Sequence, residues 1–337
     1  MSTVYCWRDL SDLQTGVNKF FAEIHKTMPG NKVGLKVHFG EEKNTTYIKP
    51  KYYEGIKQFY SEPCYVECNV LYRGARTTAA SHLEVARSHG FTNLPIKILD
   101  GEDGLETHEV VVNQKNISTA KLGRGITEFD QLISVAHFKG HMLCGFGGAI
   151  KNVAMGIGSR TGKLEMHAGA APIVSKKKCT ACNACAENCD FKAITIDGDA
   201  RINDELCANC ARCIAVCPTS AINVNWGKLP PQIIMERICE YMLGAMQNKK
   251  WAFINFLTDI TQECDCMNMV QKPLMADVGA LMSFDPVAID QASIDLLKEV
   301  KGEDPFFEQN KINSQYLLDY AQKLGLGSKT YTLEQLT

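Results

Sequence analysis

The sequence lacks the features that define membrane, secreted and nucleic-acid-binding proteins. No run approaches about 18 consecutive apolar residues, so no membrane-spanning helix is expected. The start has no basic segment followed by an apolar one, so no secretory signal is expected. The 36 Lys and Arg nearly balance the 38 Asp and Glu, which gives no general attraction to nucleic acid. We therefore expect a cytoplasmic protein with no membrane span and no nucleic-acid partner.

Cysteine is the abundant exception, with 15 residues in a chain of 337. Eight of them lie in the 39 residues from Cys179 to Cys217. Cysteines crowded into one short segment do not resemble the disulfide framework of a small secreted domain. Apolar residues make up 45% of the chain and charged residues 22%, as in an ordinary globular protein. The composition thus indicates a globular protein with one metal or redox segment.

Strand-like and helix-like stretches alternate on both sides of this segment, which predicts an α/β fold with a mixed or mostly parallel sheet flanked by helices. Pro231 and the Asp285-Pro286 pair each begin a predicted amphipathic helix. We assign residues 1–172 and 226–337 to one discontinuous α/β domain, interrupted by a small α+β insert at residues 173–225. Three consecutive domains are the alternative, but the last stretch offers only one strong strand. The predicted strands are residues 33–39, 65–71, 95–99, 110–112, 132–137 and 251–257.

The cysteine-rich part is an internal repeat. Cysteines recur as C-x2-C-x2-C-x3-C in two runs, one starting at Cys179 and the other 28 residues later at Cys207. This is the spacing of bacterial two-cluster ferredoxins, in which the fourth cysteine of each run ligates the other cluster. Structural zinc sites instead draw ligands from two separated pairs. The spacing predicts two [4Fe-4S] clusters, one held by Cys179, Cys182, Cys185 and Cys217, the other by Cys207, Cys210, Cys213 and Cys189.

A second candidate site is expected where two predicted strands end. His137, Lys139 and His141 alternate before a glycine-rich loop, and residues 264–266, Cys-Asp-Cys, follow another strand. Ligands of open α/β sheets bind at such carboxyl ends. The candidate catalytic residues are His137, Lys139, His141 and Lys151.

Several longer motifs resemble the DUF362 family of iron–sulfur centre proteins. The resemblance extends over about residues 30 to 300 and includes the ferredoxin-like insert. It implies this architecture but no particular reaction. Glu67-Cys68 stands where a Thr-Asp pair is the usual form, which puts a role for that pair in doubt. The matching stretches are residues 69–76, 82–84, 89–91, 137–141, 145–152, 155–156, 162–167, 264–266, 277–279 and 283–290.

An additional zinc or iron ion is one hypothesis for the second site, because thiolates and imidazoles suit both metals. Its tentative ligands are His141, His167, Cys264, Asp265 and Cys266. Two alternatives stand beside it. In one, His137 is a hydrogen-bonded core residue and the cysteine pair only packs. In the other, Lys139, Lys151 and Arg160 bind a carboxylate or phosphate.

Two functions follow from these sites. In the first, two [4Fe-4S] clusters pass electrons to a substrate or metal in the α/β domain, as in an oxidoreductase. In the alternative, the chain is a non-catalytic electron carrier or redox adaptor whose α/β domain docks a partner protein. The expected partner is accordingly an electron-transfer protein or a small-molecule substrate.

Overall fold

The computed structural model describes residues 1–336, and for residues 308 and 309 the backbone alone. The strands are β1 (Ser2–Trp7), β2 (Lys32–Lys36), β3 (Glu62–Glu67), β4 (Ile96–Ile98), β5 (Thr107–Val111), β6 (Thr119–Gly123), β7 (Gln131–His137), β8 (Lys139–His141), β9 (Gly145–Gly147), β10 (Ile173–Val174), β11 (Ile194–Asp197), β12 (Asp199–Ile202), β13 (Ile222–Asn223), β14 (Lys250–Leu257), β15 (Gly279–Ser283) and β16 (Tyr331–Gln335).

The helices are α1 (Leu13–Thr27), α2 (Ala79–Ser88), α3 (Ala149–Ile157), α4 (Arg160–His167), α5 (Ala184–Glu187), α6 (Arg212–Val216), α7 (Pro231–Met246), α8 (Pro286–Lys301), α9 (Phe307–Asn310) and α10 (Gln315–Lys323). Short 3-10 turns cover Leu10–Asp12, Pro50–Gln58 and Arg124–Glu128. No described helix is both long enough and apolar enough to cross a membrane.

An eight-stranded sheet of order β16-β1-β15-β14-β7-β2-β3-β4 organises the fold. Strand β15 pairs antiparallel with β1 and β14, and every other pairing in the sheet is parallel. The prediction of an α/β fold with a mostly parallel sheet flanked by helices is confirmed. Strands from both sides of residues 173–225 enter this one sheet.

Both faces of the sheet are covered by apolar side chains. Helix α1 buries Phe20 and Phe21 against one face, in a cluster that includes Leu35 and Ile133. Helices α3 and α8 pack on the other face, and α7 and α10 pack against these two helices in a second apolar cluster. Burial on both faces explains why β7 and β14 are nearly continuous apolar runs and do not alternate.

The helix starts were predicted well from capping chemistry. Asp285 accepts hydrogen bonds from the backbone N–H groups of Val287 and Ala288, at 2.9 Å each, and Pro286 opens α8. Two strand ends were wrong, because β2 and β3 stop at Lys36 and Glu67, earlier than expected. Beyond those residues the chain leaves the sheet to line a cavity.

Residues 173–225, here called the cysteine-rich segment, contain β10 to β13 with α5 and α6. Their strands pair only with one another, β10 with β13 and β11 with β12. Ile194, Ile214 and Ile222 form the centre of a separate small apolar cluster. The exact domain boundaries stay a prediction.

Candidate functional site

Four cysteines line each of two small cavities in the cysteine-rich segment. One cavity is lined by Cys179, Cys182, Cys185 and Cys217. The other is lined by Cys189, Cys207, Cys210 and Cys213. Each cavity therefore takes three cysteines from one run and the fourth from the other run. This is the same grouping that the spacing predicted.

The backbone repeats together with the sequence. Ala181, Asn183 and Lys192 have positive φ values of 53°, 65° and 51°. The residues 28 positions later, Asn209, Ala211 and Ser220, have positive φ values of 57°, 59° and 53°. The left-handed conformation costs a non-glycine residue about 1–2 kcal/mol, so such loops persist only where their surroundings fix them. Here the left-handed residues turn the chain so that its thiols face the cavities.

Backbone N–H groups point at several of these sulfur atoms. Ala221 donates to the Cys217 thiol at 3.2 Å, and Ala193 donates to the Cys189 thiol at 3.3 Å. Against the effect of burial, donors at Ile222, Thr219 and Ala221 lower the pKa of Cys217. Soft thiols with N–H donors at the sulfurs fit an iron–sulfur cluster.

Asp190 follows the first cysteine run, at the position where Pro218 follows the second run. In the structure Asp190 has an ion-pair partner. Its carboxylate accepts a hydrogen bond from Arg212 at 2.7 Å, and Arg212 also pairs with Asp103 at 3.1 Å. An ion pair thus ties the first run to the second run and to the α/β domain. All three groups are partly or largely exposed, so the pair contributes little to stability.

A cavity of about 740 Å³ lies at the carboxyl ends of β2, β3 and β7; we call it the central cavity. It is lined by side chains that follow these strands and by residues of α3 and α4. Of the expected second-site residues, Lys139, His141, Lys151, His167, Cys264 and Cys266 line it.

His137 and Asp265 are buried behind the cavity wall and do not line it. The His137 ring bonds to the Asp265 carboxylate at 2.9 Å, and Thr46 donates to the same carboxylate at 2.8 Å. Lys139 lies 3.5 Å from it. Although burial opposes the charge, His137 and Lys139 hold the pKa of Asp265 well below its usual range. His137 is therefore a hydrogen-bonded core residue, as the alternative held.

The two cysteines beside Asp265 face the cavity. The Lys151 ammonium lies 3.6 Å from the Cys264 sulfur. A hydrogen bond from Cys266, together with Lys151 and Lys139, keeps the pKa of Cys264 well below its usual value despite burial. The hydrogen bond to Cys264, reinforced by burial, raises the pKa of Cys266. Both shifts favour the thiolate at Cys264 and the thiol at Cys266.

Further cations surround the cavity. Lys36, fully buried, pairs with Glu67 at 3.0 Å and donates to Asn152 at 2.9 Å. Lys163 donates to the Gly158 carbonyl at 2.6 Å, and no described carboxylate pairs with it. Glu67 is the one carboxylate among the described lining residues, and Lys36 occupies it. Lys139 faces the Asp265 carboxylate and Lys151 the Cys264 sulfur, so Lys163 is the lining lysine with no described acidic partner, and its charge suits an anionic ligand.

The imidazoles in the wall are neutral near pH 7. Burial, with Lys151 and Lys163 nearby, lowers the pKa of His167 to about 3. Burial and Lys151 also hold the pKa of His141 well below its usual value. The Nδ1 atom of His167 is buried and has no described hydrogen-bond partner.

The residues of the central cavity do not fit a metal ion. The described residues contain no group of three or more His, Cys, Asp or Glu side chains placed to hold one ion. Asp265 faces the core, and Lys151 stands beside the Cys264 thiolate where a metal would compete with it. The hypothesis of a zinc or iron ion at this site gains no support from the geometry.

Arg160, expected as an anion ligand, has a different role. Its guanidinium donates to the backbone carbonyls of Asp103 and Thr77, and Nε donates to Val70 at 3.3 Å. It therefore holds loops together.

Sequence reasoning missed several lining residues, namely Lys36, His38, Glu67, Arg76 and Lys163. A signal for two of them was present, because Lys36 and Glu67 are charged residues inside otherwise apolar strands. A charge in such a position requires a buried partner, which here is the other residue of the pair.

The central cavity adjoins the cysteine-rich segment. Leu71 lines the cavity and also packs in the apolar cluster that contains Cys185 and Cys217. Arg73 donates to the backbone carbonyl of Cys217. Trp226, at the end of the segment, lies edge-on to His167 with ring centroids 4.9 Å apart.

Taken together, these features define an α/β protein in which a cation-lined cavity lies beside two four-cysteine sites. The chain belongs to the DUF362 family, a domain of unknown function, whose model matches residues 33–295. The sequence has no match among curated proteins.

Two solved structures are similar in fold. The lactate racemase apoprotein from Thermoanaerobacterium thermosaccharolyticum aligns over 89% of this chain and 58% of its own, with 12% identity and a TM-score of 0.47. A protein from Thermotoga maritima aligns over 86% of this chain and 59% of its own, with 11% identity and a TM-score of 0.42. The chain thus spans less than two thirds of the length of either protein.

Proposed function

We propose that this chain holds two [4Fe-4S] clusters and passes single electrons to an anionic small molecule bound in the central cavity. The observation that carries the proposal is the crosswise grouping of eight cysteines into two sets of four. A disulfide scaffold or a pair of zinc sites gives no reason for this grouping, whereas a two-cluster ferredoxin requires it.

The residues of each cavity would hold one cluster by four thiolates. When bound, a [4Fe-4S] cluster exchanges one electron at a time, at a potential set by hydrogen bonds to its sulfurs and by exposure. This chain supplies N–H donors at Cys179, Cys189 and Cys217. Ile194 and Ile222 help to keep water out.

The charge distribution supports an anionic substrate. Of the lysines that line the central cavity, Lys139 faces Asp265 and Lys151 faces Cys264, whereas Lys163 has no described acidic partner. The one described lining carboxylate is paired with Lys36. Positive charge in a concave, partly desolvated site concentrates anions there. A carboxylate or phosphate group is the ligand that such a site recognises.

The wall shared through Leu71 supports electron passage between the two sites. One face of this side chain lines the central cavity and another packs in the apolar cluster around Cys217. A substrate in the cavity would therefore share a wall with the four-cysteine site that contains Cys217.

The test uses paired cysteine variants of the full chain, loaded anaerobically with iron and sulfide. With Cys179→Ala and Cys217→Ala together, both changes fall on one site, so about four of about eight iron atoms should remain. With Cys179→Ala and Cys189→Ala together, each site loses a ligand and both clusters should be impaired. Iron content, acid-labile sulfide and the EPR spectrum of the dithionite-reduced protein provide the measurements.

Cys64→Ala is the matched control, because Cys64 is a half-buried cysteine of β3 outside both cavities. It should retain the full iron content and the wild-type spectrum. If the Cys179/Cys189 double variant instead kept about half of the iron, and the Cys179/Cys217 double variant had both clusters impaired, each run would hold its own cluster. Loading of two zinc ions in place of about eight irons would overturn the proposal.

A further inference from the structure

Cys264 and Cys266 lie at the first and third positions of a tight turn. The Met267 N–H donates to the Cys264 carbonyl at 2.9 Å and closes the turn. Asp265, between them, is anchored in the core by Thr46 and His137. Both cysteines remain at the cavity wall.

This geometry is compatible with a disulfide that opens and closes. A β-turn brings its ends within about 7 Å, and its first and third residues fall within the Cα separation of about 4.4–6.8 Å that a disulfide requires. A ring closed over a single intervening residue is strained, and strained disulfides are the readily reduced, catalytic ones.

The surroundings give the two sulfurs different roles. Cys264 is buried, with Lys151 at 3.6 Å from its sulfur, and is the nucleophile. Cys266 is only half-buried and lies in the same turn, where it can act as the resolving thiol. A nucleophilic thiolate beside a resolving thiol is the arrangement used in thiol–disulfide exchange.

We propose that Cys264 and Cys266 form a dithiol that reduces small anionic disulfides bound in the central cavity. The Cys264 thiolate attacks one sulfur of the substrate, forms a mixed disulfide and releases the first thiolate. Cys266 then loses its proton and attacks the Cys264 sulfur, which forms the Cys264–Cys266 disulfide and releases the second thiol. The substrate gains two electrons and one proton and leaves as one thiolate and one thiol, and the pair loses them.

Return of the pair to its thiolate and thiol consumes two electrons and one proton. Two [4Fe-4S] clusters held by the eight cysteines would supply one electron each. The inference rests on the proposed function only for the source of these electrons. The exchange step itself depends only on Cys264, Cys266 and the charged wall.

Two probes test the exchange in the loaded chain under anaerobic conditions. One is 5,5'-dithiobis(2-nitrobenzoate), a dianionic disulfide, and the other is 4,4'-dithiodipyridine, a neutral one. Peptide mapping by mass spectrometry follows residues 264–266. The wild-type peptide should lose two hydrogen atoms, whereas Cys266→Ala should retain one nitrothiobenzoate on Cys264. Cys64→Ala serves as the control and should leave the peptide's reaction unchanged.

Variants of two lysines distinguish binding of the anionic disulfide from activation of the Cys264 thiol. Lys163→Met should slow the reaction of the peptide with the dianionic probe about fivefold or more while leaving the neutral probe unaffected. Lys151→Met should slow both probes about tenfold or more, because the Cys264 thiolate loses its counter-charge. If Lys163→Met reacted as fast as wild type with the dianionic probe as well as with the neutral one, the choice of an anionic substrate would be overturned.

The outcomes also separate this inference from the proposed function. Absence of the internal disulfide, with no adduct on Cys264 in Cys266→Ala, would overturn the dithiol. A disulfide that dithiothreitol reopens in the loaded chain supports it. If dithionite-reduced clusters fail to reopen the disulfide, the iron–sulfur source of electrons is overturned and the dithiol stands.

Discussion

The cysteine-rich segment and the central cavity are assembled in opposite ways. The eight cysteines of the segment lie within 39 residues of chain, and their spacing alone determines how they group. The cavity instead collects Lys36, Glu67, Lys139 and Cys264 from separate strand ends across one sheet. A local site is therefore visible in the sequence, whereas a distributed site becomes visible only when the sheet order is known.

The two regions differ in stability for a related reason. The sheet is covered on both faces by large apolar clusters, whereas the segment has one small cluster that includes several of the cysteines themselves. Domains with so little apolar burial commonly need a metal or cofactor to fold. We therefore expect the segment to depend on a cofactor at its thiols for stability more than the α/β part does.

The largest expected effect follows from this difference. Preparation of the chain without iron should raise amide hydrogen exchange in β11 and β12 on the order of a hundredfold, because the cluster ligands no longer fix the loops. Exchange in β7 and β14 should change little. Hydrogen-exchange mass spectrometry of the iron-loaded and iron-free chain measures both regions at once. Equal protection of β11 and β12 in the two forms would refute the difference in stability.

A buried ion pair in the α/β part should matter far more than an exposed one in the segment. Asp265→Asn leaves Lys139 and His137 without their carboxylate and should lower the free energy of unfolding by about 3–5 kcal/mol. Asp197→Asn removes an exposed partner of Arg201 and should cost less than about 1 kcal/mol. Urea unfolding of the loaded variants compares them. Similar losses for both would contradict the proposed role of Asp265 as an anchor.

Much of the fold could be predicted from local chemistry. The start of α8 followed from Asp285 and Pro286, and the apolar run of β14 was visible as a strand. Strands β1 and β16 were not predicted, because burial along β1 does not alternate regularly and the side chains of β16 are largely exposed, so neither shows a clear period. Their places depend on pairing with each other across nearly the whole chain.

The candidate site was predicted only in part, for a geometric reason. The alternation of His137, Lys139 and His141 suggested one common face, but His137 ends β7 while the other two belong to β8. The change of strand directs His137 to Asp265 in the core and leaves Lys139 and His141 in the cavity wall. No local pattern marks that change.

A smaller loss of stability is expected from a substitution of Gly156, which leaves room for the Lys36 side chain beside its partners. A methyl group on Gly156 would collide with the end of the Lys36 side chain and approach Glu67 within 3.1 Å. Gly156→Ala should therefore lower the free energy of unfolding by about 1–3 kcal/mol. Gly74→Ala is the control, because its nearest neighbours would lie 3.9 Å away. Thermal unfolding with equal shifts for both variants would contradict the tight fit around Lys36.

The smallest expected effect concerns a histidine behind the cavity. His82 is fully buried, its ring lies edge-on to Phe39, and neither of its ring nitrogens has a described partner. Burial, reinforced by Arg76, holds its pKa well below 6.5. The unfolded chain takes up a proton at His82 as the pH falls below about 6.5, whereas the folded chain does not. Stability contributed by this histidine is therefore present above pH 6.5 and is lost as the pH decreases.

Asp100 and Asp290 act in the opposite direction, because burial raises the pKa of each to about 6. Asp100 and Asp290 contribute equally to wild type and to His82→Leu, so their contribution cancels in the difference between the two free energies of unfolding. The wild-type free energy of unfolding minus that of the variant should decrease between pH 6.5 and 5, by at most about 1.4 kcal/mol per pH unit. His108→Leu, on the half-exposed strand β5, is the matched control. A difference that stays constant with pH would show that His82 is protonated in the folded chain.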